Sequence, residues 1–110
     1  MTSKTAALAQ AKKAHSSIWR QSGTEFVFTT PYRHSSQRGV TEVKSQSHGQ
    51  AVQSRTRHIV GDALYTMGYG ADDIEMALHF QYEPAGTTEQ RMSTALALFE
   101  KRGIKPAREV

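Results

Sequence analysis

The sequence predicts an α+β chain that is mostly α: an N-terminal helix, a short β-hairpin or arm, and a compact three-helix C-terminal bundle. Three observations carry this expectation. Thr24 to Tyr32 alternates as a strand does, with Phe26, Phe28, Thr30 and Tyr32 on one face and Val27 and Thr29 on the other. From Gln50 onward, apolar residues recur at helical spacing instead. Glycine, proline and capping residues then divide that second half into separate helices. With 110 residues and 37% hydrophobic content, the chain suits one core. Its expected segments are a helix in 1–23, a β-ribbon or basic arm in 24–48, a three-helix unit in 49–103 and a mobile tail in 104–110.

In chain order, Thr5 to Gln21 reads as the first helix. Leu8, Ala11, His15 and Ile18 fall at helical spacing with Trp19 beside them, and Ser22-Gly23 is the stop. Trp19, the one tryptophan, is expected to anchor the core. After the strand, Pro31 argues against a central position because proline cannot donate to a ladder. Val40 to Lys44 is a candidate return strand, and for 33–49 an ordered hairpin and a mobile loop both remain open. The next helix carries Val52, Ile59, Val60, Ala63, Leu64 and Met67 on its apolar face, with Gln53, Arg57 and Asp62 opposite. Gly61 in its interior suggests close approach of another helix, and Gly68 caps it. Asp72 is the expected N-cap of a short helix over 73–81. Thr87 with Gln90 forms a capping box for 88–102. There Met92, Ala95, Leu96 and Phe99 make the apolar stripe and Gly103 ends the helix.

Charge is divided along the chain. Residues 1–58 hold nine Lys/Arg against two acids, and residues 59–110 hold five against eight. The first half is therefore a basic surface suited to a polyanion or an acidic protein surface. Arg33, His34, Arg38, Lys44, Arg55, Arg57 and His58 are the candidate nucleic-acid contacts, with Tyr32 able to stack on a base. Such binding is expected to be electrostatic and largely sequence-independent. A helix-turn-helix over 59–80 is excluded as a groove reader, because Asp72, Asp73 and Glu75 would meet phosphates. The alternative is a protein-protein interaction module, a small regulator or inhibitor of a larger complex, or self-association. It would use the Met67-Gly68-Tyr69 corner with Met76 and Phe80 on the following helix.

That corner carries a family resemblance. Leu64, Met67-Gly68-Tyr69, Ile74 and Ala77-Leu78 resemble the first half of a UBA domain, the ubiquitin-associated three-helix module. The resemblance is specific over 60–78 and extends over 56–103. It implies a partner-binding patch of Met67, Gly68 and Tyr69 with the exposed end of helix 88–102. The connection from Phe80 to Thr87, with Pro84, is longer than that family's, as is the last helix.

Catalytic chemistry is not expected. No phosphate-cradling glycine loop, Gly-x-Ser-x-Gly or His-Glu-x-x-His is present. The pairs His58/Asp62 and Glu75/His79 place imidazole beside carboxylate, but neither has an evident nucleophile or third ligand. No cofactor and no metal are expected. The absence of cysteine removes disulfide and thiolate chemistry and fits a reducing, cytoplasmic setting. No apolar run approaches the length of a membrane span, and Lys12 and Lys13 interrupt any leader-like segment.

Overall fold

The computed structural model describes residues 2–35, 38–79 and 86–108. Along them run α1 (Lys4–Ala14), β1 (Trp19–Arg20), β2 (Phe26–Pro31), β3 (Val40–Ser45), α2 (His48–Thr66), α3 (Ala71–His79) and α4 (Thr88–Arg102). The fold is α+β and mostly helical. The strands form one antiparallel sheet in the order β1-β2-β3.

The first helix is shorter than its periodicity suggests. It starts on the Ser3 side chain, which accepts from Ala6 N–H, and stops at Ala14. Three interactions pull the chain out of helical geometry there. Ser16 N–H donates to the Thr29 carbonyl, Thr29 N–H donates to Ser16 Oγ, and the Arg55 guanidinium takes the His15 and Ser16 carbonyls. The next residues, Ile18 and Trp19, favour extended backbone. Trp19–Arg20 accordingly becomes a strand, with Trp19 opposite Val27 and Arg20 opposite Phe26. Trp19 is not a core anchor, being 38% exposed.

The return strand is ordered. β3 pairs with β2 from Phe26↔Ser45 to Pro31↔Val40. Opposed residues share a face, so Phe26, Phe28 and Thr30 lie with Ser45, Val43 and Thr41 on the side of α2. Phe28 is fully buried there, its ring 5.5 Å from that of His58. The other face carries Val40, Glu42 and Lys44, all exposed.

α2 packs against α1, α3, α4, β2 and β3. It starts on Ser47, whose side chain accepts from Gln50 N–H. Six consecutive residues, Ile59 to Leu64, are buried, so this part of the helix has no solvent face. Asp62, assigned by helical period to the polar side, is therefore buried, whereas Val52 is exposed and Ala51 takes its place inside. At Gly61 a Cβ would stand 3.1 Å from Leu78 Cδ1 and 3.4 Å from His34 Cε1. The residue thus lets α3 and the His34 ring approach. Leu8, Ile59, Leu64, Ile74, Met92 and Phe99 are among the residues that close the main core.

α3 begins at Ala71, two residues before the expected start. Gly70 accepts the Ile74 N–H, which leaves Asp72 and Asp73 in the first turn, where acids favour the helix dipole. The Thr87/Gln90 capping box opens α4 and Gly103, at φ +69°, closes it. The tail is the larger departure. Residues 104–108 are not loose: Ala107 and Arg108 N–H both donate to the Gly68 carbonyl, at 2.8 and 3.1 Å.

Gly68 itself has φ +103°, and a Cβ there would lie 2.5 Å from the Arg108 carbonyl oxygen. Gly68→Ala should therefore lower stability by roughly 1–3 kcal/mol in urea unfolding. Amide exchange at Ala107 and Arg108 should speed up in the same variant.

Candidate functional site

A carboxylate enclosed on a central helix must be paired, because an isolated buried charge is costly. Asp62 is 2% exposed and meets Arg33, which enters from just beyond β2. Arg33 Nε and Nη2 donate to Asp62 Oδ1 at 2.9 and 2.6 Å, and Nη2 also reaches Thr66 Oγ1. This pairing fixes the start of the β2–β3 connection against α2.

Two histidines are locked in the same layer. His15 Nδ1 lies 2.7 Å from the Ala11 carbonyl and His58 Nδ1 lies 2.7 Å from the Ser54 carbonyl. Carbonyls only accept, so both rings carry their proton on Nδ1. Nε2 of His15 then accepts from Thr30 Oγ1 at 2.7 Å, and Nε2 of His58 accepts from the Tyr32 hydroxyl at 2.9 Å. His34 is also buried, yet its Nδ1 has no hydrogen-bond partner among the described residues.

His34 borders two depressions. The narrower is a cleft of about 160 Å³ lined by Tyr32, His34, Arg57, His58, Glu75 and Leu78. The wider is a hollow of about 430 Å³ lined by Arg33, His34, Ser35, Arg38, Tyr65, Ala71 and Arg108. In the hollow, two guanidinium carbons lie over one ring: Arg108 at 3.7 Å and Arg33 at 5.0 Å from the Tyr65 centroid. Arg108 also donates to the Tyr65 carbonyl. Arg38 and Arg57 are exposed and make no ion pair among the described residues.

The seven candidate phosphate contacts are thus separated by the fold. Arg33, His34 and Arg38 converge on the hollow, and His34, Arg57 and His58 on the cleft. Arg55 is turned inward as a cap for α1, and Lys44 lines neither depression. Arg33 contributes with its charge already offset by Asp62. Tyr65 and Arg108 join the site without a sequence signal, and Glu75, read from the sequence only as an acid set against phosphate, lines the cleft. Tyr65 falls between apolar positions of α2, and nothing in the tail announces its return to Gly68.

The corner proposed for a protein partner is an internal joint. Tyr69 is 9% exposed, its ring 4.4 Å from that of Phe99, and Gly68 is covered by the tail. Met67 and Met76 are half-buried against the core. Phe80 lies outside the described residues. Among those residues no three of His, Cys, Asp or Glu are placed to hold a metal, and no helix is long and apolar enough to cross a membrane. Comparison with family models, with curated proteins and with solved structures finds no match to this chain.

Two predictions follow from this layer. Asp62→Asn should cost roughly 1–3 kcal/mol in urea unfolding, because it leaves Arg33 against a neutral amide. Stability should also fall in acid. His15, His34 and His58 are all held below the usual 6.5, chiefly by burial. Unfolded imidazoles take up protons as pH drops through 6.5 while the native ones resist. The stability is therefore complete above that pH and declines below it, which urea midpoints on either side would record.

Proposed function

We propose that this chain is a non-enzymatic binding protein for a polyanionic partner, nucleic acid, gripped through its phosphates with little reading of sequence. The observation that carries this reading is the gathering of Arg33, Arg38 and Arg108 around Tyr65 in one hollow. Among the described residues, the one carboxylate hydrogen-bonded to them, Asp62, is already taken by Arg33. Arg38 and Arg108 make no ion pair among the described residues, so an anion entering the hollow meets positive charge that is not offset. Arg57, on the far side of His34, continues the cationic track. Guanidinium groups suit phosphate because their forked donors match its oxygens.

Arg55 and Lys44 have no part in this reading, and the Met67-Gly68-Tyr69 corner is closed by the chain itself. The partner is therefore held along the His34 border.

Fluorescence anisotropy with a labelled mixed-sequence oligonucleotide at two salt concentrations tests the proposal. Affinity should fall steeply with salt, by roughly 0.7–0.9 in log K per log salt for each phosphate held. Arg38→Ala and Arg108→Ala should each weaken binding and flatten that slope. Arg55→Ala should lower stability and leave the slope of the folded protein unchanged. Absence of binding at low salt overturns the proposal.

A further inference from the structure

The hydrogen bonds beside the narrow cleft fix which atoms it offers. His58 has its proton on Nδ1, committed to the Ser54 carbonyl. The Tyr32 hydroxyl therefore directs its proton to His58 Nε2, and its oxygen keeps lone pairs for another donor. Tyr32 borders the cleft together with the Glu75 carboxylate, a second pure acceptor. Arg57 supplies donors only, and Leu78 an apolar wall.

A pocket for phosphate alone would be lined by donors. Here Glu75 and Tyr32 are part of the lining, and their carboxylate and phenolic oxygens would repel a phosphate oxygen. The lining instead matches a group that carries hydroxyl donors next to an anionic oxygen. A sugar linked to phosphate is such a group. Within a DNA strand the sugar has no free hydroxyl, because the 2′ position lacks one and the 3′ and 5′ oxygens are esterified. Within an RNA strand the 2′-hydroxyl remains as a donor. The cleft, at about 160 Å³, is smaller than the roughly 300–1,000 Å³ of drug-sized pockets, so it suits a small unit.

We propose that the cleft between Tyr32, Arg57 and Glu75 is a ribose-reading subsite. It takes one nucleotide of an RNA strand, with the 2′-hydroxyl sharing its one proton between the Tyr32 oxygen and the Glu75 carboxylate in a three-centre hydrogen bond, and the adjoining phosphate on Arg57. The inference rests on the nucleic-acid reading above and adds to it the choice of RNA over DNA. The neighbouring hollow, reached past His34, then receives phosphates further along the strand.

The test compares one sequence as RNA, as DNA and as 2′-O-methyl RNA by anisotropy at low salt. The wild type should bind RNA about tenfold more tightly than DNA, and the 2′-O-methyl strand should behave as DNA. Tyr32→Phe and Glu75→Ala should each bring the RNA-to-DNA ratio towards one. Arg57→Ala should weaken all three strands alike. Glu75 is exposed, so its variant tests the idea even if Tyr32→Phe disturbs the fold through His58. Equal affinity for RNA and DNA, or a ratio that Glu75→Ala leaves unmoved, overturns the subsite while the broader binding reading stands. No binding to any strand overturns that broader reading as well.

Discussion

The enclosure of α2 is the constraint on which the rest depends. Where this helix is covered by the sheet and the other helices, a polar side chain turned inward must be answered by a neighbouring element. Asp62 is answered by Arg33, which pins the β2–β3 connection. Arg55 is answered by the carbonyls at the end of α1, which helps stop that helix. His58 is answered by Tyr32 and by the carbonyl one turn back. Hydrophobic contact supplies most of the cohesion, but these polar pairings decide where the strands and the first helix meet the core.

The same enclosure explains which parts of the fold could be read from the sequence. Strand alternation and capping residues are local signals; they located β2, α2 and α4 closely and offered β3 as one of two open readings. The first helix was misjudged because Ile18 and Trp19 happen to fit helical spacing. What stops it is pairing with Thr29 and Arg55, both remote in sequence. Asp62 was misplaced because period alone cannot tell a helix with one buried face from one buried all round. The folding back of residues 104–108 depends on two N–H groups reaching Gly68, a pairing with no compositional signature.

The candidate site was half legible. A basic first half foretold cations near the β2–β3 connection, and Arg33, His34 and Arg38 do gather there. The sequence could not show that Arg55 is consumed internally, or that a late residue, Arg108, completes the group. Nor could it reveal hydrogen-bond polarity. That the Tyr32 oxygen is an acceptor follows only once the His58 ring is seen anchored to Ser54. Site chemistry here is set by chains of two or three hydrogen bonds, whereas charge counts register only the total.

The outer strand invites a last thought. β3 is an edge strand, and β1 at the other edge has only two residues. An open margin of this kind can recruit a second copy by strand addition unless something discourages it. Glu42 and Lys44 stand exposed along β3, and bringing two such margins together would strip water from both charges. Lys44, which the sequence offers as a phosphate contact, therefore makes strand addition along this margin costlier.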